Sequence, residues 1–148
     1  MKNKKGITLT AVIITVVFLL IIVGLVVTYS LDNYNNAKVI KFDTYMRAIQ
    51  KKVDLILEEG IDYSTIGLTL SEDTKSNLQT IINSNNNIRT RNVDEPKLRY
   101  FSQSDIEEIF GLSGISDEVI VNFANRDVIS INGVEKEGTT YYTIYTLP

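Results

Sequence analysis

The chain has 148 residues, 44% of them hydrophobic and 22% charged, with a formal net charge of -3 and neither Cys nor His. It therefore has no thiolate nucleophile, no disulfide, no Ser-His triad, none of the commonest transition-metal ligands and no side chain that ordinarily titrates near neutrality, all of which argues against an enzyme. A mean hydropathy of +0.03 would suit an ordinary soluble domain, but the average joins two unlike parts: 19 of the 25 residues from Ile7 to Leu31 are hydrophobic and none is charged.

The chain opens Met1-Lys2-Asn3-Lys4-Lys5-Gly6 and then enters that apolar run. As a helix the run would extend roughly 37 Å at about 1.5 Å per residue, against a hydrocarbon core of about 30 Å, so a tilted transmembrane span is expected over 7–31. A secretory signal has a shorter apolar region followed by a small-residue cleavage site, and Val27-Thr28-Tyr29-Ser30 does not supply one. Lys2, Lys4 and Lys5 predict a cytoplasmic amino terminus, which gives a single-pass cell-membrane protein with its carboxy-terminal head outside.

Beyond the run, Val39, Phe42, Met46, Ile49, Val53 and Ile56 recur at spacings of 3 and 4, with Tyr45 and Leu57 widening the stripe and charged residues falling elsewhere. That is an amphipathic helix over 32–59, with Gly60 as its stop. The same spacing also fits a coiled-coil seam on an anchored protein, but the head from 60 to 148 needs a surface to pack on. With no proline between Ile7 and Glu59, one long helix is expected, apolar all round in its first half and on one face in its second.

In the head, Ser71 is a candidate N-cap for a helix over Glu72–Ile82 whose apolar face is Leu78, Ile81 and Ile82, and Asn83 to Asn87 is a loop. Ser104-Asp105-Ile106-Glu107 reads as a capping box for a second short helix to Gly111, and Lys97–Phe101 as a short strand or connector. Val119–Ala124, Val128–Ile131 and Thr139–Thr146 predict a three-stranded antiparallel meander with one face covered by the long helix. The fold class expected is α+β: a long amino-terminal helix on a small carboxy-terminal sheet, with two short helices between.

The residues Lys5-Gly6-Ile7-Thr8-Leu9 before an uncharged helix, the two-part helix and the carboxy-terminal meander together resemble type IV prepilins and type II secretion pseudopilins. The resemblance implies a leader of residues 1–6, cleavage between Gly6 and Ile7 by a prepilin peptidase, and N-methylation of Ile7. It also implies a non-enzymatic filament subunit whose partners are the membrane, the peptidase and methyltransferase, other pilin subunits and an assembly platform protein. The family's usual Glu, five residues into the mature chain, is here Ala11, and its helix-breaking Pro is absent; both departures favour a minor subunit. A single-pass anchored protein with a partner-binding external head is the alternative.

No further site emerges. The acidic pairs Glu58-Glu59, Glu72-Asp73, Asp94-Glu95, Glu107-Glu108 and Asp117-Glu118 lack metal-loop spacing, and most read as helix-terminal or solvated charges. A calcium site built from two loops, as some pseudopilins have, is left open and has no location in the sequence; no cofactor is expected. Arg89, Arg91, Lys97 and Arg99 beside Tyr100 and Phe101 resemble a nucleic-acid patch, but residues 60–148 hold 7 basic and 13 acidic side chains, a balance that repels a polyanion. Tyr141, Tyr142 and Tyr145 read as strand packing.

Overall fold

The computed structural model describes the backbone of residues 3–147 and the side chains of 11–22 and 36–147. The chain forms two compact units, one up to Ala37 and one from Lys38 onwards. The first helix, α1, is Asn3–Glu58 and contributes to both.

In the first unit every described side chain from Ala11 to Ile22 is exposed. Among the described residues no helix is long and apolar enough to cross a membrane. This corrects the expected fold class, in which the first half of a long helix is membrane-embedded. The transmembrane segment 7–31, the single-pass localisation and the anchored-protein alternative fall with it.

In the second unit α1 ends where the Ile61 N–H donates to the Ile56 carbonyl at 3.0 Å. A 3-10 turn, Tyr63–Thr65, leads to α2, Glu72–Ser84. Ser71 caps α2 by accepting from the Thr74 N–H at 3.2 Å, with Glu72 and Asp73 in the first turn, where they complement the helix dipole. Strand β1 is Leu98–Phe101 and α3 is Gln103–Phe110. The cap of α3 is two residues earlier than the sequence suggests: Ser102 accepts from the Asp105 N–H while Asp105 accepts from the Ser102 N–H.

The sheet also differs from the expected meander. Strands β2 (Val119–Asn122) and β3 (Asp127–Ser130) pair antiparallel, and the third strand of that sheet is β1, on the other side of β2. Leu98 stands opposite Asn122 and Phe101 opposite Val119. A strand thus separates the two short helices, which do not both precede the sheet. Thr139–Thr146 does not extend β3. Instead β4 (Val134–Lys136) and β5 (Thr139–Tyr141) close a hairpin of their own, because Glu137 and Gly138 both take positive φ, 52° and 79°, the geometry of the tight hairpin turn matched to strand twist. A second 3-10 turn, Ile144–Thr146, follows.

The three-stranded sheet is covered on both faces. Phe42, Met46, Ile49, Val53 and Ile56 of α1 share one core with Phe101, Ile106, Phe110, Val119, Val121 and Val128. Leu78, Ile81 and Ile82 of α2 share another with Leu98, Ile120 and Ile129. Alternation along β2 sends Val119 and Val121 towards α1 and Ile120 towards α2, so its residues are buried on both sides.

Candidate functional site

Two features carry chemistry beyond packing, one in each unit. In the first unit Val12, Ile13, Ile14, Val16, Val17, Phe18, Leu19, Leu20, Ile21 and Ile22 are between 40% and 67% exposed. Four residues more than make a helical turn, so twelve consecutive exposed residues present apolar surface on every side. Ala11, the position where the resemblance leads one to expect a carboxylate, is exposed and accepts a 2.8 Å hydrogen bond from the Thr15 hydroxyl through its backbone carbonyl. Lys4, Lys5, Gly6 and Ile7 belong to α1 by backbone, with side chains outside those described; Lys2 lies outside the described residues altogether.

In the second unit a buried polar clamp joins α1 to the sheet. Asp117 is only 3% exposed, an exception to the expectation that most of the acidic pairs are helix-terminal or solvated. Its Oδ2 accepts from the Tyr45 hydroxyl at 2.5 Å and from the Ser130 hydroxyl at 2.6 Å. Its Oδ1 accepts the Glu118 N–H at 2.8 Å and the Asn132 N–H at 3.3 Å. Ser130 Oγ in turn accepts the Gly133 N–H at 2.7 Å. Burial first, then the bond to Asp117 and its charge, push the Tyr45 phenol far above its ordinary range, so Tyr45 remains a neutral donor. A surface cleft of about 260 Å³ opens beside the clamp, between Lys41, Tyr45, Ser116, Asp117 and Glu135. Sequence reading missed the clamp because its hydrogen-bonded partners lie as far as 72 residues apart, as Tyr45 and Asp117 do. Its one available signal was a phenol on the apolar stripe, which needs a partner for its hydroxyl.

A second buried carboxylate, Asp127, accepts from the Thr90 N–H at 3.1 Å and the Thr90 hydroxyl at 2.9 Å through Oδ2. Among the described residues its Oδ1 has no hydrogen-bond donor; the Arg89 guanidinium stands 3.9 Å away.

The structure does not assemble the basic run into a patch. Arg89 also covers the Tyr145 ring at 4.1 Å, Arg91 donates to the Ile82 and Asn85 carbonyls, and Arg99 donates to those of Ile66 and Gly67. Tyr145 thus belongs to a turn and a cation–π contact; Tyr141 packs on the α1 core and Tyr142 on the α2 core. Among the described residues no three acidic, His or Cys side chains gather as a metal site. Tyr100 is pushed up to about 12 by burial and by its bond to Glu118.

No family model, curated protein or solved structure matches this chain.

Proposed function

We propose that the chain is a non-enzymatic filament subunit of the type IV pilus or type II secretion pseudopilus kind, cut after Gly6, methylated at Ile7 and joined to neighbouring subunits through the apolar surface of 11–22. The peptidase and methyltransferase that process it, the other subunits and an assembly platform protein are its partners, and Ala11 makes it a minor subunit. The observation that carries this reading is the apolar segment itself. Ten large apolar side chains stay 40–67% exposed, and at about 1 kcal/mol for each half-exposed group roughly 10 kcal/mol is gained when a partner covers them. Helices of neighbouring subunits offer a matching apolar surface. Lys5-Gly6-Ile7-Thr8-Leu9 immediately before the segment supports processing at its start, and the absence of His and Cys agrees with a structural role.

Amino-terminal mass spectrometry of the protein recovered from cells tests the processing. N-methyl-Ile at position 7 is the expected first residue. A start at Met1 or Lys2 overturns the proposal.

A further inference from the structure

Asn132-Gly133 is the one Asn-Gly pair in the sequence. This is the dipeptide in which the following backbone nitrogen most readily attacks the side-chain amide, because glycine places no side chain in the way. The glycine here is fixed by packing: Gly133 has φ +68°, and a Cβ would stand 2.8 Å from Thr140 Cγ2 and 2.9 Å from the Tyr141 carbonyl oxygen. Asn132 is exposed, so water reaches the pair. Both backbone nitrogens are nevertheless held by the clamp: the Asn132 N–H by Asp117 Oδ1 at 3.3 Å and the Gly133 N–H by Ser130 Oγ at 2.7 Å. The Asn132 amide nitrogen donates to the Ser116 carbonyl at 3.4 Å. A nitrogen whose N–H is engaged in a short hydrogen bond is slower to lose its proton, and a turn pinned at two successive amides is slower to reach the geometry of ring closure.

We propose that Asn132-Gly133 is a modification site guarded by the Tyr45–Asp117–Ser130 clamp, converting to aspartate and isoaspartate when the clamp opens. In the first step the bond between Gly133 N and Asn132 Cγ forms and the bond from Cγ to Nδ2 breaks. The proton lost from Gly133 N ends on Nδ2, which leaves as ammonia. Water then opens the cyclic imide at either carbonyl, leaving at this position an aspartate or its isomer with the backbone running through the side chain. Either product adds a negative charge beside Asp117, and the isomer adds a methylene to the backbone whose N–H had bound Oδ1. The clamp that held α1 to the sheet does not re-form on that geometry, so the change is a one-way record of opening.

Trypsin cuts after Arg126 and Lys136, and the peptide between, 127–136, contains Asn132 as its sole asparagine; its amide-to-acid mass change is read directly on full-length protein incubated at mildly alkaline pH. Three samples are compared: folded wild type, wild type in denaturant, and folded Ser130→Ala, with folding checked by circular dichroism. The folded wild type is expected to convert at least about tenfold more slowly than the denatured chain, and Ser130→Ala about tenfold faster than the folded wild type, the size of one lost hydrogen bond. Equal rates in folded and denatured wild type overturn the proposal, as does a folded Ser130→Ala with the wild-type rate. Where Ser130→Ala does not fold, Ser130→Cys takes its place: its sulfur is a weaker acceptor for the Gly133 N–H, so conversion is expected to be severalfold faster than in wild type, an unchanged rate again overturning the guard.

Discussion

Replacing Tyr45 with Phe tests whether the clamp anchors α1 to the sheet. The substitution keeps the ring, including its edge contact with Phe42 at 5.5 Å between centroids, and removes only the hydroxyl that donates to Asp117 at 2.5 Å. A hydrogen bond to a charged group contributes about 1.5–3 kcal/mol. Asp117 keeps the Ser130 hydroxyl and two backbone donors, so no unpaired charge is left and the lower half of that range, about 2 kcal/mol, is expected. Urea denaturation of the full chain followed by far-ultraviolet circular dichroism would read this as a midpoint lowered by about 1 M, for a slope of about 2 kcal/mol per molar. A loss below about 0.5 kcal/mol, the ordinary range for inconsequential substitutions, would refute the anchoring role. The alkaline limb gives an independent check. The folded-state pKa of Tyr45 is raised above the ordinary phenol value near 10, so the unfolded chain ionises first and unfolding releases a proton. Stability from this group is complete below pH 10 and declines above it. Tyr100, pushed up to about 12, declines over the same limb, so Tyr45→Phe should flatten the loss above pH 10 without abolishing it.

Further outcomes follow from burial. Ile49 is fully buried whereas Ile40, on the same helix, is 66% exposed; Ile49→Ala should cost about 2–5 kcal/mol and Ile40→Ala within about 0.5 kcal/mol, compared by the same denaturation. Thr90→Val removes the hydroxyl that donates to Asp127 at 2.9 Å and accepts from the Asn122 amide at 3.1 Å, all within the buried interior. It leaves that amide unpaired and should cost about 2–3 kcal/mol. Arg89→Met removes the guanidinium 3.9 Å from the buried Asp127 carboxylate and its contact with Tyr145, leaving that charge without a countercharge, and should cost about 1–3 kcal/mol.

The parts of the fold legible in the sequence were those written as local periodicity. The stripe from Phe42 to Ile56 is buried as its spacing of 3 and 4 requires, and Leu78, Ile81 and Ile82 are the buried face of α2. What was not legible depended on partners distant in the chain or on the competition between elements. Lys97–Phe101 gave too short a signal to be assigned to the sheet, yet β2, buried on both faces, needs a second neighbour and β1 supplies it. The Thr- and Tyr-rich tail looked like a strand of the same meander, but the turn at Glu137 and Gly138 commits Thr139–Tyr141 to β4 first. Asp117 looked like one of several solvated acids until Tyr45 and Ser130 were found on it. The uncharged run 7–31 reads as a membrane span by its length and lack of charge, whereas among the described residues no helix is long and apolar enough to cross a membrane.

The central claim, that the apolar segment is covered by neighbouring subunits, is tested most directly by a photoreactive amino acid placed at Phe18, 61% exposed in the middle of the segment, and activated in intact cells. Crosslinks to other copies of this chain or to other filament subunits, lost when Gly6 is replaced so that processing fails, are the expected result. Crosslinks to lipid alone, or an adduct pattern that ignores the Gly6 substitution, would contradict it.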